Sequence, residues 1–167
     1  MMDREAHHLP DAGWCPNSHL PLLIYRNVES GTDLARRMES RFAANGWPPA
    51  WRYTIYDYAH FHSTTHEAIG VYRGTAKVCF GDRAGITVDL HPGDMVLIPA
   101  GVSHERLEGS DDFHAVGAYP ENCRPDLLTK DNVNRAIVDA NLRRVAIPRK
   151  DPVTGNSLAE TWTHSTA

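Results

Sequence analysis

An all-β fold with minor helices, one before the β region and one after it, is what this chain of 167 residues predicts. Between Trp51 and Ala118, short runs rich in branched and aromatic residues alternate with Gly74, Gly81-Asp82, Gly85, Pro92-Gly93, Gly101 and Gly109. No helical periodicity intervenes between those runs, whereas both flanks of the region carry it. Short strands at near-regular spacing without intervening helices predict an antiparallel sandwich or barrel.

Taken in order, residues 1–21 hold Pro10, Gly13, Pro16 and Pro21 with little periodicity and read as an N-terminal arm lying over the domain or a partner. Leu22, Leu23, Ile24 and Tyr25 make a short strand. Thr32-Asp33 is the expected cap of a helix whose Leu34, Met38 and Phe42 recur on one face, and Asn45-Gly46 with Pro48-Pro49 closes it. The expected strands run over residues 52–61, 66–72, 75–80, 86–90, 95–98, 104–107 and 113–118, so that residues 51–120 hold the core of the barrel. Residues 121–167 then supply a second helix over 131–143, with Val133, Ile137 and Ala140 on one face, and a tail containing Pro148, Pro152 and Gly155. The length is that of one domain, 1–167.

The charge balance is mildly acidic, with 17 Lys and Arg against 21 Asp and Glu, and no basic block is present to follow a phosphate backbone or an anionic bilayer. Neither nucleic acid nor membrane is therefore an expected partner. No apolar run approaches the ~20 residues of a spanning helix, and the first residues lack the apolar core of a secretory signal, so a cytoplasmic protein is expected. Cys15, Cys79 and Cys123 are odd in number and far apart; they read as free thiols, without a disulfide framework or a thiolate zinc site.

Chemistry concentrates in His60-Phe61-His62, in Glu67 four residues beyond the turn-forming Ser63, and in His104 after Pro99-Ala-Gly101. Side chains alternate along a strand, so His60 and His62 share one side with Tyr56 and Tyr58 while Phe61 faces the other. The Ser63-Thr64-Thr65 turn reverses the chain, letting Glu67 return a carboxylate to the same point with Ile69 and Val71 on its side. His66 offers another donor, but alternation turns it away. The strand-turn-strand enforced by Gly93 and Pro99-Ala-Gly101 brings His104 across as a fourth ligand. Nitrogen and oxygen donors without thiolate suit one divalent transition metal ion, whether iron, manganese, nickel, cobalt or zinc, and four ligands on a six-coordinate ion leave positions open for chemistry. Tyr58 is the candidate catalytic group, able to orient a substrate or donate a proton. Arg52 and Arg106 could pair with a carboxylate-bearing ligand or serve as solvated strand-end charges.

These residues resemble the motifs of the cupin superfamily. His60-x-His62-x4-Glu67-x6-Gly74 is similar to its first motif, and Gly93-x5-Pro99-x-Gly101-x2-His104 to most of its second. Thr54 stands where the family has a glycine before the first histidine, and Glu108 where it has an asparagine; neither position holds a metal ligand. Asn45-Gly-Trp-Pro-Pro49, His62-Ser-Thr-Thr-His-Glu67 and Val116-Gly-Ala-Tyr-Pro120 look like small single-domain bacterial cupins of the YjlB type. The resemblance implies a double-stranded β-helix, or jelly roll, with His60, His62, Glu67 and His104 around a metal near its centre, and a homodimer. The function expected is a metal-binding cupin, acting as a metal-dependent dioxygenase, lyase or isomerase on a small organic substrate; the alternative is a cupin that binds or senses a small ligand without turnover.

Overall fold

The computed structural model describes residues 3–165. Nine strands form two antiparallel sheets that face each other as a jelly roll. The strands are β1 (Asp3–Leu9), β2 (Ser18–Arg26), β3 (Pro49–Tyr53), β4 (Glu67–Arg73), β5 (Ala76–Phe80), β6 (Ile86–Leu90), β7 (Met95–Ile98), β8 (His104–Gly109) and β9 (His114–Ala118). Six strands make the larger sheet in the order β1-β2-β7-β4-β9-β3, and three make the smaller, β6-β5-β8.

Strand alternation sorts the apolar residues onto two cores. Ile69 and Val71 of β4 point inward with Ile24, Val96 and Ile98, meeting Val78, Phe80, Val88 and Leu90 from the smaller sheet. The opposite parity of the same strands, Leu23, Ala68, Met95, Leu97 and Val116, lies under helix α1 (Leu34–Ala44), which contributes Ala35, Met38 and Phe42. The larger sheet is thus covered on both faces, which explains why β7 reads as an unbroken apolar run. Each fully buried Leu, Ile or Phe in these cores contributes about 1.5–3 kcal/mol.

Four local expectations are corrected. The expected N-terminal arm is instead an edge hairpin: Asp3 through Leu9 pair antiparallel with Ser18 through Arg26 and extend the larger sheet. Asp33 does not cap α1 with its side chain; it sits in the left-handed region with φ 55°, and its carbonyl accepts the Arg37 N–H. Helix α2 spans Arg135–Arg144 and begins later than expected because the Asn134 side chain accepts the Ile137 N–H. That start turns Val138 inward and leaves Ile137 59% exposed. The tail also holds a third helix, α3 (Leu158–Thr163), started by Ser157, whose hydroxyl accepts the Glu160 N–H. Trp162 of α3 donates to the Pro21 carbonyl and rests on His66. Among the described residues, no helix is long and apolar enough to cross a membrane.

Candidate metal centre

The residues from Tyr53 to Glu67 do not form the continuous strand expected for 52–61; regular pairing stops at Tyr53, and isolated bridges and single hydrogen bonds hold the segment between there and β4. Those bridges set the site. His60 and His104 exchange both backbone hydrogen bonds, at 3.2 and 2.9 Å, so their side chains project from one face as cross-strand neighbours with ring centroids 4.1 Å apart. Phe61 pairs with Leu128 and turns the other way, into a small core with Cys15 and Val138. The His62 carbonyl accepts the Gly101 N–H, which fastens the end of this segment to the turn before β8. Gly101 has φ +97°, and a Cβ there would stand 2.3 Å from the Asn17 carbonyl oxygen, so this turn needs glycine to deliver His104.

Reading from the ligating atoms outward, His60, His62 and His104 are all buried, and one nitrogen from each lies within 4.8 Å of the others. Two donors on one ion are separated by at most about 4.2 Å for bonds of about 2.1 Å, a spacing of the same order. The carboxylate of Glu67, at the start of β4, brings Oε1 to 3.2 Å from His104 Nε2 and 3.5 Å from His62 Nε2. Glu67 is 3% exposed. The nitrogen cluster is thus His60, His62 and His104, with Glu67 set against two of them, His62 and His104.

Hydrogen bonding fixes which nitrogen each imidazole presents. His60 Nδ1 faces the Tyr58 carbonyl at 2.9 Å, His104 Nδ1 the Val102 carbonyl at 3.1 Å, and His62 Nδ1 the Asp126 carbonyl. A carbonyl only accepts, so each Nδ1 carries a proton, and in the neutral imidazole each Nε2 keeps a lone pair. His62 and His104 direct theirs at Glu67 Oε1, which has no hydrogen-bond donor although it is buried. Lone pairs facing a carboxylate in a dry site repel one another unless a cation stands between them, and an orphaned buried oxygen is costly to leave so. The donor set fits a divalent ion.

Without an ion, the charges of the cluster act on one another. Burial, reinforced by His104, pushes His60 down to about 3, so it stays neutral at ordinary pH. Burial would lift the Glu67 carboxyl, but His62 and His104 beside it hold it well below the usual carboxylate range. Burial alone would depress His62, and the opposing Glu67 charge outweighs it and raises the group.

A cavity of about 260 Å³ opens over the imidazoles, walled by Trp51, Tyr53, Ile55, Tyr56, Ile69 and Leu127. Tyr119 lies inside it, at 5.9 Å from His62 between ring centroids, and its hydroxyl accepts a 3.2 Å hydrogen bond from Trp51 Nε1. Burial and the neighbouring Glu67 push the Tyr119 phenol upward, so it keeps its proton. Tyr58 lies elsewhere: its ring stacks on Tyr56 at 5.0 Å, leans on His60 at 5.5 Å, and is 41% exposed. Its carbonyl orients His60 while its phenol stands outside the cavity wall. His66 points away, as alternation required, accepting the Ala100 N–H at 2.8 Å and packing on Trp162. Arg52 pairs with Glu39, and Arg106 donates to the Ile55 carbonyl; neither reaches the cavity.

Three contributors escaped the sequence reading. Asp126 holds the turn after His62, its carboxylate accepting from the backbone N–H groups of Ser63 and Thr64 and from both hydroxyls. Trp51 lies over Gly117, and Tyr119 comes directly after β9. The pair Trp51 and Tyr119 is separated by 68 positions, and His62 and Asp126 by 64, so no local pattern joins them.

Comparison with known proteins agrees with this architecture. The family model described as a cupin domain matches residues 54–115, which contain His60, His62, Glu67 and His104. The chain is 37% identical over 166 residues to "Uncharacterized protein YjlB" of Bacillus subtilis (strain 168), covering 96% of this chain and 99% of that one. Among solved structures, RmlC from Streptococcus suis in complex with dTDP-D-xylose aligns over 71% of this chain and 70% of its own, at 14% identity and a TM-score of 0.40. A Bacillus subtilis oxalate decarboxylase mutant aligns over 74% of this chain and 28% of its own, at 13% identity and a TM-score of 0.38. Neither structure is near enough to inform the chemistry. With a relative matched along nearly its whole length and the cupin match lying over the histidine cluster, the chain belongs to the YjlB family of cupins.

Proposed function

We propose that this protein is a metal-dependent enzyme that acts on a small organic molecule, with His60, His62, Glu67 and His104 holding one divalent transition metal ion. The observation that carries the reading is the orphaned Glu67 Oε1, faced by imidazole nitrogens whose partner nitrogens are all committed to carbonyls. Such an ion supplies Lewis-acid polarisation of a bound oxygen or a site for dioxygen, and a six-coordinate ion keeps positions free beyond four protein ligands. The residues around it exclude water and orient the ligand. Tyr119 holds a proton at its hydroxyl inside the cavity, fixed by Trp51. Tyr58, outside the cavity wall and stacked on the lining residue Tyr56, is proposed to act on the polar end of an entering molecule.

Elemental analysis of untagged protein tests the reading. One equivalent of metal is expected, lost in His62→Ala and in His104→Ala; stoichiometric metal in either variant overturns the assignment. A second reading, a ligand-binding or sensing cupin without turnover, draws support from the scarcity of proton-carrying groups inside the cavity, where Tyr119 is, among the described residues, the one phenol held away from solvent. Metal-loaded protein that binds a ligand tightly and returns it unchanged would favour it. A homodimer in the cytoplasm belongs to the same proposal. The three cysteines, all free, fit a reducing compartment, and a monomeric mass by light scattering would remove the dimer.

A further inference from the structure

The walls of the cavity over the histidine cluster bear on what can enter it. Its volume of about 260 Å³ exceeds the roughly 150 Å³ that suffices to hold a benzene ring, and leaves room for a few substituent atoms. Trp51, Tyr53 and Tyr56 present aromatic rings, and Ile55, Ile69 and Leu127 complete an apolar surface. Flat rings gain offset or edge contacts on such walls beyond the area they bury.

Charge narrows the choice further. Among the described residues no Lys or Arg lines the cavity. Of the arginines beside the lining segments, Arg52 pairs with Glu39 at 2.5 Å and Arg106 donates to the Ile55 carbonyl at 3.0 Å, while Arg124, next to the lining Pro125, is exposed and outside the lining. Asp126 lines the cavity, but its carboxylate is occupied by Ser63 and Thr64. A phosphate or carboxylate held against these walls would give up part of its water with no cation to meet it, which is costly.

We propose that the ligand is a single-ring aromatic molecule with adjacent oxygen donors at one end and an uncharged remainder, a catechol in its simplest form. This rests on the metal reading for the oxygen donors, while the preference for an uncharged ring rests on the walls alone. Sugar phosphates, dicarboxylates and amino acids are disfavoured as ligands on the same ground.

The test uses protein reconstituted with zinc, whose zinc content is measured first, and calorimetric titration with catechol and with 3,4-dihydroxybenzoate. The two share one chelating end and differ by a carboxylate on the ring. Catechol is expected to bind at least tenfold tighter, and Leu127→Lys, which places a cation on a wall residue that is 42% exposed, is expected to erase that preference. Equal or tighter binding of the carboxylate by the unaltered protein, or no binding of either by zinc-loaded protein, overturns the inference. Failure to retain zinc sinks the metal reading alone; the metal-free protein is then titrated with phenol and benzoate, where preference for phenol upholds the uncharged-ring inference and its absence overturns it.

Discussion

Substituting Gly117 with alanine should push the Trp51 indole off the sheet and open the wall of the cavity. A Cβ at Gly117 would stand 1.9 Å from Trp51 Cε2 and 2.2 Å from both Cζ2 and Nε1. Carbon atoms rest at about 3.5–4.0 Å, so the ring must retreat by about 1.5 Å or more. A rigid indole cannot yield at one atom, so the whole ring tilts and its hydrogen bond to the Tyr119 hydroxyl breaks. Overpacking of this kind costs about 1–3 kcal/mol, and the lost hydrogen bond about 0.5–1.5 kcal/mol. Their sum centres near 3 kcal/mol, or a fall in Tm of about 6–12 °C for a chain of 167 residues. Circular dichroism during thermal and urea unfolding measures it. The mechanism is isolated by Trp51→Ala, in whose background Gly117→Ala should cost less than about 0.5 kcal/mol. If alanine at 117 destabilises both backgrounds equally, the ring contact is not the cause and the account of this wall is wrong.

Three other outcomes are expected. Burial pushes His66 down to about 4 from an ordinary value near 6.5, so the folded state holds it neutral while the unfolded chain takes up a proton. The associated stability is whole above pH ~6.5 and lost as pH falls toward ~4, about 3 kcal/mol in all; urea unfolding across that range should show a shallower acid limb in His66→Asn, and parallel limbs would refute the assignment. Asp126→Ala removes the acceptor for the Ser63 and Thr64 N–H groups and loosens the loop whose carbonyl holds His62. It should lower stability by about 2–3 kcal/mol and zinc affinity by about tenfold in equilibrium dialysis, and unaltered affinity would show that His62 is held without that loop. Zinc at about 1,000 times its Kd should stabilise the metal-free protein by about 4 kcal/mol, visible as a rise in Tm that a chelator reverses and that His104→Ala lacks.

Much of the site was legible because its information is local. The alternation that puts His60 and His62 on one side and Phe61 on the other survives even where the strand expected there dissolves into isolated bridges, since extended backbone alternates whether or not it is laddered. Glu67 faces inward with Ile69 for the same reason. Helix α1 was visible in the recurrence of Met38 and Phe42. The Ser157-to-Glu160 spacing carried the signal of α3, a polar cap with an acidic partner three residues on, beneath the prolines and glycine that read as a tail.

The sequence by itself determined the strand periods, the turns that glycine permits, and the spacing that gathers His60, His62 and His104 with Glu67 beside two of them. Only the tertiary structure decided that the first residues pair as an edge hairpin, that Val138 rather than Ile137 turns inward, and that Tyr119 rather than Tyr58 occupies the cavity. The physical reason is range. Backbone stereochemistry acts between neighbours and leaves its mark on each short stretch of chain, whereas Asp126 against Ser63 and Trp51 against Tyr119 are settled by packing between segments more than sixty residues apart.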